Sequence, residues 1–543
     1  MKFPTRYAPI DLKPSIPFRL NHHHPHHPLF IPQSLLLSHF SSTHPSPPHY
    51  RSITSTTTPQ DPPEHSADLF HYTTGRWLWD EEQQLRDRAT PFNASSLQKI
   101  AAQSVGAKTC TSIAKLAEGS FNKTFRLTMD TGLSVIARIP HPISGPRIQA
   151  RTILRIPTPQ VYAWNADVNN AVGSEYIIME EAPGTQLEDV WDDLSLEQKI
   201  EVVKDLVQLE NRLLHAPLNR YGSLYFASEN IAGAVPAEVR GYVSIELKDR
   251  VRRRFVIGPV AHRKYWSKER AEMTLDRGPW NHPQEYILSP AHREKAWLQQ
   301  HAVPKPDDDP PATQTSPASH ISALENYIQV APYLLPKDPT LVAPYIRHTD
   351  LHAANIFVHW QDVFSAPLIL QARRAKLVEY NGEIVLNAPA NFKDLDADEK
   401  SRIRGYIAKD IPLLDKALRC KHGRMRCDSI DFVGGTWDDE IIPLREALIR
   451  VERYWDNFGH EIPCPIHFTP EELRIHAEES AGWNEVQDFW DSVSGIVSRD
   501  GWNPHHLYED AVAMFAELRG LGLGRMKGME REVFERETRW AER

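Results

Sequence analysis

Residues 347–358 read RHTDLHAANIFV, in which a histidine, an aspartate and an asparagine follow the spacing HxDxxxxN and lead into an apolar run. Phosphoryl transfer to a hydroxyl needs a carboxylate that accepts the hydroxyl proton and, shortly after it, a side-chain oxygen that holds Mg²⁺ beside the phosphates. Asp350 and Asn355 meet both needs, and His348 is interpreted as a structural residue behind the loop. The alternative is an aspartate that caps a turn and an asparagine in a loop before a buried strand. The complete string favours the catalytic interpretation.

A second pattern predicts a β-hairpin with a cation on the strand that follows it. Residues 118–124 read EGSFNKT, and SVIARIP follows at 134–140. A hairpin of small residues such as Gly119, Ser120 and Asn122 lets backbone amides approach phosphate oxygens, and Arg138 would neutralise their charge. The alternative is an ordinary hairpin, because a hairpin next to a strand with one charged residue is common in β-sheets. The pattern gains weight because it opens the β-rich half of the chain, well before residues 347–358.

The run YIIMEEAPG at 176–184 predicts a buried strand that ends in a turn. Glu181 and Ala182 would then offer backbone groups to the edge of an adenine. A plain connector between two structural units is the alternative reading of this run.

Composition excludes several classes of protein. The chain has 543 residues, of which 41% are hydrophobic and 24% charged, and its formal net charge of -9 gives no basic surplus for nucleic-acid binding. The four cysteines lack CxxC spacing and are too few for a disulfide framework, which favours a reducing compartment without structural zinc. No apolar run reaches the roughly 18 to 20 residues of a membrane span. We therefore expect neither a nucleic-acid partner nor a transmembrane segment.

Three regions follow from the patterning of the chain. Residues 1–65 are rich in Pro, His, Ser and Thr and poor in acids, which indicates either a mitochondrial transit segment or a disordered leader. Residues 66–183 predict a β-rich lobe with an N-terminal helical extension. Residues 184–543 predict an α-rich lobe that includes a flexible Pro/Asp/Ser loop at 303–318.

Together these strings resemble the aminoglycoside phosphotransferase-like family, and more closely its fungal altered inheritance of mitochondria branch. The resemblance extends over roughly residues 66 to 540. Beyond the strings above, it is carried by LFHYTTGRWLWDEEQQLRDR (69–88), RYGSLYF (220–226), LDRGPW (275–280), SAPLILQARR (365–374) and GTWDDEIIPLREALIRVER (435–453).

The resemblance implies a protein-kinase-like fold of the α+β class, with a small antiparallel β-sheet N-lobe and a large, mainly α-helical C-lobe. It also implies ATP and Mg²⁺ between the lobes, transfer of phosphate to a small-molecule hydroxyl, and a mitochondrial address, with the cytoplasm as the alternative. Asp350 would be the base, Asn355 the magnesium ligand, and Arg138 and the hairpin the phosphate contacts. The acceptor itself stays open, and RYGSLYF and LDRGPW are candidates for its site.

Two departures from the family pattern concern catalysis. The glutamate that orients the strand cation in such folds has no counterpart, because Asp167 is the only carboxylate between Asp130 and Glu175. In its place stand Arg147, Arg151 and Arg155, which the resemblance does not explain. His359 also stands where a second metal-binding aspartate is expected, and an imidazole is a poor magnesium ligand.

The departures leave three interpretations. The reading frame lacks two short segments through mis-assembly or splicing, the protein is a natural pseudo-enzyme, or the site works in an atypical form. The rival function is therefore a non-catalytic, pseudokinase-type binding or scaffold protein in mitochondria. Sequencing the transcript across codons 140–165 and 350–370 separates the first interpretation from the others, because additional in-frame residues would appear there.

Overall fold

The computed structural model describes residues 69–142, 159–191, 193–303, 312–346, 364–371, 420 and 423–542. The leader, Asp350, Asn355 and His359 lie outside the described residues, as do Arg147, Arg151 and Arg155.

The strands of the described residues are short. They are β1 (Gly75–Trp77), β2 (Cys110–Glu118), β3 (Asn122–Met129), β4 (Ser134–Pro140), β5 (Val161–Asn165), β6 (Tyr176–Glu180), β7 (Gly222–Phe226), β8 (Val235–Pro236), β9 (Phe255–Gly258), β10 (Pro344–Ile346), β11 (Phe364–Pro367) and β12 (Trp502–Pro504).

Helices occupy most of the chain after β6. They are α1 (Glu81–Arg88), α2 (Ala94–Ser104), α3 (Leu187–Val190), α4 (Leu196–Leu214), α5 (Ile245–Arg254), α6 (Pro283–His301), α7 (Ala312–Thr315), α8 (Pro317–Leu334), α9 (Pro339–Val342), α10 (Leu368–Gln371), α11 (Gly423–Phe432), α12 (Ile441–Arg453), α13 (Pro470–Ser492), α14 (Tyr508–Arg525) and α15 (Gly528–Glu537).

The first lobe is built on a five-stranded antiparallel sheet with the order β2-β3-β4-β6-β5. The predicted hairpin at 118–124 is confirmed by the pairing of β2 with β3, and a second hairpin joins β3 to β4. Gly132 in the turn of the second hairpin has a φ of 82°, which glycine adopts without a steric penalty. Burial alternates along β3 and along β4 as far as Ala137, and the last residues of β4, 138–140, are all buried. Phe125, Val135 and Ala137 pack with Leu97 of α2. One face of the sheet therefore carries the core of the lobe.

The second lobe is mainly helical, so the expected α+β, two-lobed, kinase-like fold is confirmed. Its core lies among α6, α8 and α12, where Tyr327 is fully buried and its hydroxyl donates to the Ile287 carbonyl at 2.8 Å. This lobe also contains a second five-stranded sheet, β10-β11-β7-β9-β8, which the sequence analysis does not predict. Its strands are two to five residues long, too short for a clear period of two.

The structure also differs from the loop expected at 303–318. Residues 304–311 lie outside the described part, but α7 covers 312–315 and α8 begins at Pro317. The Thr313 backbone N–H and hydroxyl donate to the Glu479 carboxylate, at 3.0 and 2.6 Å, which fixes this stretch against α13. The proline-rich composition here marks a helix start as well as a loop, because proline is favoured in the first helical turn.

The N-terminal extension is attached to the C-terminal part of the chain. Strand β1 pairs with β12, and the Trp77 indole donates to Asp500 at 3.2 Å. The Arg88 guanidinium stacks over the Trp77 ring and lies 4.0 Å from the same carboxylate. Three buried side chains therefore connect residues 75–88 to the region before α14.

The four cysteines are all free. Within the described ranges, no helix combines the length and the apolar character that a membrane crossing requires.

Candidate active site

The hairpin between β2 and β3 is open on its outer side. The Gly119 N–H donates to the Asn122 carbonyl at 2.9 Å, which closes the turn, and Gly119 and Ser120 are exposed. A Cβ at Gly119 would meet no heavy atom within 4 Å. The turn thus leaves room for a ligand beside its backbone amides, as the predicted phosphate contact requires.

The register of the sheet decides which way Arg138 points. Residues directly opposite each other in an antiparallel pair share a face, and neighbours along a strand point to opposite faces. Arg138 lies opposite Thr124 and Ile177, whereas Ala137 and Ile139 face the core beside α2. Arg138 therefore lies on the face of the sheet away from α2.

Burial makes this arginine a weaker base. The side chain of Arg138 is almost completely buried, and desolvation lowers its pKa to about 10. The guanidinium is still charged at neutral pH, so it can neutralise phosphate oxygens as predicted.

The residues predicted at the adenine edge lie directly after β6. The Glu181 carboxylate accepts from Arg126 Nε at 2.9 Å, and Arg126 shares a face with Ile136 and Arg138. Ala182 is exposed, and the chain turns at Gly184 with a φ of 110°. The side chain of Glu181 is thus engaged with the sheet, and only backbone groups at 181–182 are in position for the predicted adenine contact.

A buried glutamate is present near the hairpin, but on the other face. Glu118 lies opposite Lys123 in the β2–β3 register, and Lys123 lies opposite the core residue Ile139. Lys123 Nζ is 3.3 Å from the Glu118 carboxylate, and Lys115 forms a second, closer ion pair with it. Glu118 therefore cannot orient Arg138. Sequence reasoning missed this cluster, although a glutamate flanked by two lysines around the hairpin was a visible signal.

The same cluster fastens the hairpin to the N-terminal extension. The Thr73 N–H donates to the Glu118 carboxylate at 3.2 Å, and Lys123 Nζ donates to the Phe70 carbonyl at 2.6 Å. His141 lies between two carbonyls, with Nδ1 2.9 Å from Arg88 O and Nε2 3.2 Å from Gly119 O. Burial lowers the pKa of His141, against the opposing effect of Glu118.

Three of the sequence motifs quoted above lie close together in the second lobe. Tyr221 of RYGSLYF and Trp280 of LDRGPW exchange backbone hydrogen bonds of 3.1 and 2.9 Å. The Ser223 hydroxyl of RYGSLYF accepts a hydrogen bond from the Ala261 N–H at 3.0 Å. This hydrogen bond fixes the position of the turn that follows Ala261. Lys264 of that turn lies 3.4 Å from Glu440, at the end of the GTWDDE string. The candidate acceptor strings thus form one structural unit.

Glu440 is the most perturbed carboxyl group of this unit. Burial raises its pKa to about 7, with further contributions from Asp438 and Glu294, while Lys264 opposes the shift. The carboxyl is therefore close to half ionised at neutral pH, as is common for groups in functional sites.

Among the described residues, no group of three or more His, Cys, Asp or Glu side chains is arranged to hold a metal ion. The predicted magnesium ligand, Asn355, lies outside them.

No family model matches the chain. A subtelomeric hrmA-associated cluster protein of Aspergillus fumigatus is 28% identical over 76% of this chain and 92% of its own length. The mitochondrial altered inheritance of mitochondria protein 9 of Yarrowia lipolytica is 25% identical over 81% of this chain and 85% of its own length. The chain is similar to the altered inheritance of mitochondria proteins. The resemblance stated from the motifs is thereby confirmed.

Solved structures with an overall likeness include two small-molecule kinases. A Thermobifida fusca protein described as a fructosamine-3-kinase has a TM-score of 0.34 at 12% identity and covers 66% of this chain and 100% of its own. Aminoglycoside phosphotransferase APH(4)-Ia has a TM-score of 0.31 at 13% identity and covers 68% of this chain and 100% of its own. The fold described above rests on the strand order of this chain and not on these scores.

Substitution Glu118→Gln tests the attachment of the hairpin. We expect it to lower the free energy of unfolding by about 3 kcal/mol, because it leaves two buried lysines without their carboxylate. Backbone amides of 118–124 should also exchange hydrogen faster than in the wild type. Glu181→Gln is the matched control, since its pair with Arg126 is half exposed and should contribute less than about 1 kcal/mol. Equal effects of the two substitutions in urea unfolding would contradict the assignment.

Glu440 predicts a specific dependence of stability on pH. Its pKa is raised in the folded protein, so the stabilisation is complete below the ordinary pKa near 4.5 and is lost as pH rises through about 7. The full change amounts to about 3 kcal/mol. We expect Glu440→Gln to remove this decline between pH 5 and pH 8, measured by urea unfolding. The exposed Glu238→Gln should leave the decline in place, and a Glu440→Gln profile parallel to the wild type would refute the prediction.

Proposed function

We propose that the chain is an ATP-dependent phosphotransferase of the aminoglycoside phosphotransferase-like type, acting on the hydroxyl of a small molecule. The observation that carries the proposal is Arg138, a buried arginine on the sheet face away from α2, beside a hairpin that leaves open space at Gly119. The HxDxxxxN motif also supports the proposal. Residues 347–363, which contain the motif, connect β10 and β11, and the pairing of Ile346 with Ser365 brings the two ends of this connection together.

Each predicted residue has a definite role in this reaction. Asp350 accepts the proton of the acceptor hydroxyl, and Asn355 holds Mg²⁺. Arg138 and the amides of the hairpin bind the phosphates, and the backbone at Glu181 and Ala182 binds the adenine. Mg·ATP, when bound, supplies the phosphoryl group. The open space at Gly119 and the buried cation are compatible with a triphosphate.

A non-catalytic, pseudokinase-type binding or scaffold protein is the second candidate. It is favoured by the position of Glu118, the buried carboxylate nearest the hairpin, because the register places it on the face opposite Arg138. His359 in place of a metal-binding aspartate supports the same reading. Such a protein would retain affinity for the nucleotide without turnover.

Nucleotide-dependent melting separates these candidates. We expect 1 mM ATP with Mg²⁺ to raise the melting temperature of the wild type by a few degrees, since binding stabilises the folded state. Asn355→Ala should remove the Mg²⁺-dependent part of this increase. Asp350→Ala should keep the increase and abolish ATP hydrolysis, with water as the surrogate acceptor.

The outcomes divide as follows. Stabilisation with hydrolysis that Asp350→Ala abolishes supports the phosphotransferase. Stabilisation without hydrolysis supports the non-catalytic candidate. A wild type that shows neither response rejects the phosphotransferase and the nucleotide-binding form of the second candidate.

We further propose that the protein acts in mitochondria. The relatives from Yarrowia lipolytica and Eremothecium gossypii carry mitochondrial names, and residues 1–65 have the acid-poor, hydroxyl-rich composition of a transit segment. We expect a fluorescent fusion of the full chain to colocalise with a mitochondrial marker and a fusion of residues 66–543 to lose that localisation. A cytoplasmic signal from the full-length fusion would contradict the proposal.

A further inference from the structure

Arg263 of the second lobe contacts the tip of the hairpin in the first. It begins the 3-10 turn Arg263–Tyr265, and its guanidinium carbon lies 4.8 Å from the centre of the Phe121 ring. Phe121 stands between Ser120 and Asn122, two of the predicted phosphate-binding residues. A guanidinium stacked on a ring directs its N–H groups sideways, in the plane of the group, where planar contacts to phosphate oxygens are made.

The same turn lies beside the strand that follows the candidate catalytic segment. The ring of His262 meets that of Phe364 edge to face, with centroids 6.2 Å apart. Phe364 is the first residue of β11. The residue after it, Ser365, pairs with Ile346, which is the last residue of β10. Arg263 therefore stands between the hairpin tip and the sheet edge from which residues 347–363 depart.

Three cations lie near His262. Burial is the main cause that lowers its pKa, to about 3, and Lys264, Arg293 and Arg263 all contribute to the shift. Lys264 pairs with Glu440, and Arg293 is buried over the Tyr265 ring, where it donates to the Gly434 carbonyl. Arg263 is half-buried and is the cation of this group that lies against the hairpin.

We propose that Arg263 binds the terminal phosphate of the nucleotide and stabilises the charge that develops on it during transfer. The inference rests on the proposed function and adds a residue to it. In the reaction, the acceptor oxygen bonds to the terminal phosphorus, the bond from that phosphorus to the bridging oxygen breaks, and ADP leaves. Asp350 takes the hydroxyl proton, and Arg263 exchanges none.

This role bears on the departure at His359. A fixed cation acts on the same phosphate oxygens that a second, carboxylate-held metal ion would neutralise, and an arginine supplied in cis is an established way of stabilising phosphoryl transfer. A site with Arg263 in this position would need fewer metal ligands. The inference therefore favours a working atypical site over a lost one.

The test compares affinities for ATP, ADP and AMP, each with Mg²⁺, by titration calorimetry. We expect Arg263→Gln to weaken ATP binding about ten- to a hundredfold, the effect of one lost charge-assisted contact, and to leave AMP binding unchanged. Arg263→Lys should retain part of the preference for ATP, because it keeps the charge. Phe121→Leu removes the ring that positions the guanidinium and should give a smaller loss.

Arg254→Gln is the matched control. This exposed arginine lies 5.5 Å from the centre of the Phe255 ring at the end of α5, so its substitution also removes an arginine from an aromatic ring. We expect no change in any of the three affinities.

The possible results are distinguishable. A wild type that binds none of the three nucleotides overturns the proposed function, and the inference falls with it. A wild type that binds ATP, with an Arg263→Gln variant that keeps full affinity or loses all three nucleotides equally, overturns the inference alone. If Arg263→Gln shows no cooperative melting, the test relies on Arg263→Lys and Phe121→Leu. The inference is then overturned if both variants have the same ratio of ATP affinity to AMP affinity as the wild type.

Discussion

The arrangement of the first lobe depends on one buried carboxylate, Glu118. Its side chain is fully excluded from solvent, and it balances Lys115 and Lys123 on the α2 side of the sheet. Removing two ammonium groups and a carboxylate from water is costly, and the cost is offset only if each charge keeps its partners. The backbone of residues 70–73 supplies further partners, so the hairpin and the N-terminal extension hold each other in place.

The extension in turn connects distant parts of the chain. His141 joins the Gly119 carbonyl to that of Arg88, and Arg88 contacts Trp77 and Asp500. Strand β1 then pairs with β12 near the C-terminal helices. This continuous set of buried contacts relates the position of the hairpin to the second lobe.

Much of the first lobe could be predicted because its signals are local. The alternation in β3 and β4 and the Asp130-Thr131-Gly132 turn are contained in one short stretch. The second sheet could not be predicted in this way. Strand β7 at 222–226 pairs with β11 at 364–367, and neither is long enough to show a period. The lysines that pair with Glu118 are near in sequence, but the Thr73 N–H that also binds this carboxylate lies 45 residues away, so the attachment to the N-terminal extension has no local signal.

The candidate site shows the same division between local and distant information. The sequence predicts Arg138 and the hairpin, and the structure adds that Arg138 lies on the face of the sheet opposite Glu118. An arginine is suited to that position, because burial lowers its pKa only to about 10 and the charge persists. A lysine begins from a lower ordinary pKa, near 10.4, so the same burial would leave its charge less secure. The higher ordinary pKa of arginine therefore allows the side chain at position 138 to stay charged in a buried place, on the face of the sheet opposite Glu118.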